Sequence, residues 1–194
     1  MNPDIENLLE QNNGYLTATV AKEHGISSKM LAHFVNNGSI ERVAHGLYMS
    51  SDLFADPFFI FQYRCPKAVF SHETALYLHD LSDRDPLILM ATLPTGSSSR
   101  LQHEKAHQFF YNHPDKIKLG VCEVETENGL LVKAFDKERT LCDCIKYLNQ
   151  LDRDLVLTAL KRYLKSPERD NVKLLDYATL LNVRQQVYSY LEVM

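Results

Sequence analysis

A chain of 194 residues, 45% hydrophobic and 24% charged, has the make-up of an ordinary folded protein. Its length suits a small module of about fifty residues beside a larger domain of typical size. The net charge of −4 gives no long-range attraction for nucleic acid, and no run approaches the roughly twenty apolar residues of a bilayer span.

The start, MNPDIENLLEQ, is acidic and lacks the basic and apolar segments of a secretion signal, so a cytoplasmic location is expected. Pro3 to Gln11 carries Ile5, Leu8 and Leu9, enough for one short amphipathic helix, and Tyr15-Leu16 suits a small strand. From Thr17 to Met49 the order of signals is that of a winged helix-turn-helix. Ala21 and Gly25 stand four apart, the small residue and the turn glycine that let two helices cross closely, and Ile26 plugs the corner. Ser27 is a good N-cap for a second helix, Ser28 to Asn37, which stops at Gly38. Leu31, Phe34 and Val35 share one face of that helix; Lys29, Ala32, His33 and Asn36 share the other. A recognition helix needs this division, one side docked and one side free to enter a major groove.

Ile40–Val43 and Leu47–Met49 then read as the strands of a wing joined by Ala44-His45-Gly46. Arg42 and His45 sit beside its tip, where a wing meets phosphate or a minor groove. In the first fifty residues Lys22, Lys29 and Arg42 are outnumbered by Asp4, Glu6, Glu10, Glu23 and Glu41, so one copy is expected to hold DNA weakly. The acids gather on the first helix, and His24 to Ser50 is mildly positive. The same three-helix spacing also serves dimerisation or protein docking, but the turn-helix-wing order favours DNA.

Ser50-Ser51-Asp52 interrupts the apolar pattern, placing a boundary between residues 1–50 and a second domain, 56–194, of mixed α and β type. The fold class is therefore α+β. Asp56-Pro57 opens a helix through Phe61, Ser71 caps HETALYLHDL, and Leu87 to Thr92 suits an interior strand. His107–Tyr111 is a further strand, and Lys118–Thr126 pairs with Leu130–Phe135 across Glu127-Asn128-Gly129. Asp136 caps a helix carrying Leu141, Ile145 and Leu148 on one face; helices over Asp154–Lys165, Leu174–Leu181 and Val183–Glu192 follow.

No segment presents a convincing active site, so a non-enzyme is expected, with no cofactor and no metal. Glu123, Glu125 and Glu127 alternate as on a solvated edge strand, and His103 and His107 lack a carboxylate or cysteine at matched spacing. Gly96-Ser97-Ser98-Ser99 lacks the lysine of a phosphate loop, and Cys142-x-Cys144 is not zinc spacing; Cys65 and Cys122 complete a set of buried free thiols. Lys161, Arg162, Lys165, Arg169 and Lys173 form a late basic cluster, read as a solvated helix face or as a second surface for DNA backbone or an acidic partner.

Three stretches carry a family resemblance: GISSKMLAHFVNNGSIERVAHGLY, FSHETALYLHDL from Phe70 to Leu81, and ENGLLVKAFDKERTLCDCI from Glu127 to Ile145. In succession they resemble the AbiEi-type antitoxins of bacterial abortive-infection toxin–antitoxin systems. Ser71-His72-Glu73-Thr74-Ala75-Leu76 and Glu138-Arg139-Thr140-Leu141-x-Asp143 look like signatures of the antitoxin domain. The resemblance implies a repressor of its own operon that neutralises a cognate nucleotidyltransferase toxin without a stable complex. His45 stands where the family often has arginine, which bears on the strength of the wing contact.

The residues give that picture a mechanism. Lys29, His33 and Asn36 would line the groove, Asn36 pairing with adenine and Lys29 with guanine or phosphate. Ser27 and Ser28 would hold phosphate at the helix N-terminus, and Arg42 and His45 would fix the wing. So few cations require two copies on inverted half-sites of double-stranded DNA, with cooperative self-association through the C-terminal domain. Two alternatives remain open: an enzyme using Glu138, Arg139 and Asp143 on the toxin or its substrate, and a ligand-sensing transcription factor without a toxin.

Overall fold

The computed structural model describes residues 3–192. The fold is α+β, and the chain divides into two compact units, Met1–Arg64 with Thr126–Leu130, and Cys65–Glu125 with Leu131–Met194.

The first unit runs α1 (Pro3–Gln11), β1 (Tyr15–Thr17), α2 (Ala18–Glu23), α3 (Ser28–Asn36), β2 (Ile40–Ala44), β3 (Leu47–Ser50) and α4 (Pro57–Arg64). Its core joins Ile5, Leu8 and Leu9 of α1 to Leu16, Ala21, Ile26, Leu31 and Ile40. Each buried leucine or isoleucine there contributes about 2 kcal/mol of apolar transfer. The three strands form one antiparallel sheet in the order β1-β3-β2, with Tyr15 opposite Met49 and Glu41 opposite Met49 from the other side. The expected helix-turn-helix and wing are therefore present. Gly25 differs from expectation in its reason. A Cβ there would meet nothing within 4 Å, while its φ is +77°. It closes the turn by adopting the left-handed conformation, not by letting helices approach.

The second difference is the boundary. The expected division put everything from Asp56 onward in the C-terminal domain, but α4 packs Phe59, Ile60 and Tyr63 on Tyr15, Leu47 and Met49, with Leu130 in the same cluster. Buried Asp56 organises this junction within the first unit. Its Oδ1 accepts from the Phe59 amide (3.0 Å), and its Oδ2 from Thr126 Oγ1 (2.6 Å) and Asn128 Nδ2 (3.2 Å). The Asp56 amide donates to Tyr15 Oη at 2.7 Å, and Asn13 Nδ2 donates to the Gly129 carbonyl at 2.8 Å. Three donors thus meet the buried carboxyl group, and such bonds offset the cost of removing it from water.

The second unit contains β4 (Val69–Phe70), α5 (His72–Leu78), β5 (Leu89–Pro94), β6 (His107–Asn112), α6 (Pro114–Ile117), β7 (Val121–Glu125), β8 (Leu131–Phe135), α7 (Lys137–Lys146), α8 (Arg153–Lys165), α9 (Asn171–Leu180) and α10 (Arg184–Leu191). Five strands form a mixed sheet in the order β6-β5-β4-β8-β7. The helices share a core of Leu76, Leu141, Ile145, Leu160, Tyr163, Leu174 and Val187. Two elements escaped the sequence reading. β4 has only two residues and no alternation to see, and α6 is a single turn opened by Pro114. The interior strand begins at Leu89, because Leu87 is 87% exposed. Glu123 and Glu125 lie exposed on edge strand β7, where charge discourages sheet-to-sheet pairing. Glu127 falls beyond that strand, in the turn belonging to the first unit.

Candidate nucleic-acid interface

The wing and α3 are placed by local chemistry. Thr17 caps α2 by accepting from the Val20 amide at 3.2 Å, and Ser27 caps α3 by accepting from the Met30 amide at 3.3 Å. The Ser27 hydroxyl keeps its own hydrogen and can still donate to a phosphate at the positive helix end. Leu31 is buried, and Met30, Phe34 and Val35 pack beside it, fixing how α3 is rotated about its axis.

That rotation turns Ser28, Lys29, Ala32, His33 and Asn36 outward, all exposed, and Ser27 is exposed with them. Lys29, His33 and Asn36 fall at intervals of four and three, one strip along the helix. Ala32 between them is small enough to permit close approach. The His33 ring rests edge-on against Phe34, with centroids 5.6 Å apart.

The turn of the wing is tighter than expected. β2 runs to Ala44, leaving His45 and Gly46 between the strands, and the register shifts between Arg42 and Ala44. Arg42 and His45 are both exposed and bond to each other, Arg42 Nη2 donating to His45 Nδ1 at 3.0 Å. An arginine can only donate, so His45 Nδ1 is the acceptor in this bond. The two side chains act as one unit rather than as two independent contacts.

Sequence reasoning missed the residue that anchors this turn. Tyr63 of α4 donates through its hydroxyl to the Gly46 carbonyl at 3.1 Å, and the Ala18 amide donates to the same oxygen at 2.8 Å. Gly46 has φ +75°, and a Cβ on it would lie 3.3 Å from the Tyr63 hydroxyl, so both conformation and space suit glycine. The available signal was that Phe59, Ile60 and Tyr63 share a face of α4.

In the second unit the residues considered for chemistry are built into the fold. Arg139, fully buried, donates from Nε to Asp143 Oδ2 at 2.9 Å and from Nη1 to the Lys116 and Leu119 carbonyls at 2.7 and 3.0 Å. Glu138 accepts from the Tyr163 hydroxyl at 2.8 Å and pairs with Lys173 at 3.0 Å. Ser71 stands at the N-cap of α5 without making a cap bond. Its hydroxyl instead accepts from Thr92 Oγ1 and meets His72 Nδ1, both at 2.9 Å. His72 stacks on Phe110 with centroids 3.6 Å apart, and burial, aided by Arg139 and Lys146, lowers its pKa to about 3. It is a neutral core residue.

The late basic cluster is dispersed. Arg162 pairs with Asp83, Lys173 with Asp136 and Glu138, and Arg169 donates to the Leu164 carbonyl; Lys161 and Lys165 stay exposed. Among the described residues no three His, Cys, Asp or Glu side chains gather as a metal-holding group. All four cysteines are free, and burial pushes the Cys142 thiol up to about 12, far from the reactive thiolate range. No helix among the described residues is long and apolar enough to cross a membrane.

Residues 3–51 match the family described as "Transcriptional regulator, AbiEi antitoxin", so the winged module is of the AbiEi type; the match ends before the second unit. The fold is similar to that of the RV2827C protein from Mycobacterium tuberculosis in its crystal structure. The TM-score is 0.54, covering 97% of this chain and 79% of that one at 10% identity, a likeness of fold alone. No curated protein matches the sequence.

Proposed function

We propose, from a winged module of the AbiEi antitoxin-regulator type, that this chain represses its own promoter and also neutralises a cognate nucleotidyltransferase toxin. The supporting observation is the exposed strip of Lys29, His33 and Asn36 beside a wing tip bearing Arg42 and His45. Asn36 reads adenine and Lys29 reads guanine or phosphate from the major groove. His33 contacts the adjoining base edges or backbone. Ser27 and Ser28, with the first amides of α3, hold one phosphate, and the Arg42–His45 pair holds another.

Few cations face the duplex, so one module binds weakly and two copies share an inverted repeat, associating cooperatively through the C-terminal domain. That domain also carries the antidote effect, without a stable toxin complex. Arg139 bonds Asp143 and Glu138 accepts from Tyr163, so these side chains serve the fold and no catalytic step falls to them.

Footprinting on the chain's own promoter tests the repressor half: two protected half-sites in inverted orientation are expected, their centres one or two helical turns apart. A single site, or none, overturns it. The antitoxin half is read by growth on toxin induction, using full-length protein with Lys29→Ala and Arg42→Ala. That variant should still rescue growth, because operator binding and neutralisation lie in different units.

A further inference from the structure

The loop between α5 and β5 holds its apolar residues out toward solvent. Two ion pairs fasten it: Arg84 to Asp152 at 2.5 Å and Asp83 to Arg162 of α8. The Asp152 amide in turn donates to Glu73 Oε1 at 2.8 Å. So held, Leu87 is 87% exposed and Ile88 40% exposed. Beneath them lies a cleft of about 180 Å³ whose apolar walls are Pro86, Leu87, Ile88, Met90 and Leu155.

Two features define what such a cleft accepts. The first is size: ligand pockets span roughly 300 to 1,000 Å³, so this one suits a single large side chain rather than a nucleotide or effector. The second is charge. Arg84 and Arg162 are already neutralised, and Glu73 and Asp85 line the cleft. Asp154 stands exposed next to the lining residue Leu155, against exposed Arg153. The rim is acidic. A second copy meeting this face with its own would oppose acids to acids, so the complementary surface is cationic.

We propose that this cleft docks a basic protein partner, which inserts one apolar side chain flanked by lysine or arginine. Resting on the function proposed above, the partner is the toxin, since a nucleotidyltransferase must hold polyphosphate and so presents cationic surface. One side-chain-sized anchor is a small part of the roughly 1,200 to 2,000 Å² buried by a stable interface. The contact is therefore brief, in keeping with neutralisation that leaves no lasting complex.

The probe is a five-residue peptide, Lys-Arg-Leu-Arg-Lys with blocked ends, titrated into full-length protein carrying ¹³C-methyl methionine. The Met90 methyl in the cleft wall is the reporter. It should shift with this peptide, and respond at least tenfold more weakly when glutamates replace the basic residues or alanine replaces the leucine. Leu87→Lys, which removes an apolar wall and sets a cation against the basic peptide, should weaken the response tenfold or more and leave thermal unfolding and promoter binding unchanged, since Leu87 is mostly in solvent. A Met90 signal that ignores the basic peptide, or answers the acidic one equally, overturns the proposal. Growth on toxin induction distinguishes the two levels. Leu87→Lys rescuing as well as wild type removes the cleft from neutralisation. Wild type failing to rescue sinks the antitoxin reading, while the Met90 titration still decides the cleft.

Discussion

His72 should make the second unit acid-labile by an amount that can be worked out. Its ring is 1% exposed, its Nδ1 is taken by Ser71, and its Nε2 finds no partner among the described residues. Burial, with Arg139 and Lys146 adding to it, lowers the pKa from 6.5 to about 3. The unfolded chain therefore binds a proton below pH 6.5 that the folded chain refuses until about pH 3. For a base lowered in this way, stability is complete above the unfolded pKa and is lost as pH falls through that window. Between pH 7 and pH 5 the loss from this one group is about 2 kcal/mol. The assay is urea unfolding, followed by circular dichroism at both pH values, for wild type and His72→Asn. Asparagine is the replacement because residue 72 has φ +53°, which asparagine tolerates. The substitution removes the stacking on Phe110 at every pH, a constant offset. What counts is the change in the difference between the two proteins: wild type should lose about 2 kcal/mol more than the variant on going to pH 5. Parallel losses would show that His72 is protonated in the folded state and that its burial is misread.

Two further substitutions probe the winged module. Tyr63→Phe removes one of the two hydrogen bonds to the Gly46 carbonyl, worth about 1 kcal/mol. Promoter affinity should fall several-fold in a filter-binding assay with α3 undisturbed, and unchanged affinity would mean that the wing needs no anchor from α4. Gly25→Ala should cost about 1–2 kcal/mol in urea unfolding through left-handed strain alone, with Gly25→Asn recovering most of it, because space is open there. Equal cost for both substitutions would point to a steric role.

Local signals made the winged module legible in the sequence. Ser27, Gly25, the split faces of α3 and the short strands around His45-Gly46 act over a few residues, and each is a property of the chain's own neighbours. The outward strip of Lys29, His33 and Asn36 followed from the inward set once helical spacing was assumed. The misses share another cause. Tyr63 reaches Gly46 across 17 positions, and Asp56 reaches Thr126 across 70, so no window of sequence contains either pair. For the same reason no local signal ties α4 and the turn at 126–130 to the winged module, although both belong to the first unit. Ser71 looked like a cap because capping is a local pattern; its hydroxyl is diverted by Thr92, 21 residues away. The late basic cluster dissolved on folding, because its partners Asp83, Asp136 and Glu138 come from other elements.

That α3 and the wing are the DNA-reading surface is tested most directly by a gel shift on the chain's own promoter, across a salt series. Two double variants are compared: Lys29→Ala with Arg42→Ala, and Lys161→Ala with Lys165→Ala on α8. The first pair should lose affinity at least a hundredfold and flatten the salt dependence by about one to two in slope. The second should bind as wild type does. Binding retained by the first pair, or lost equally by the second, would contradict the account.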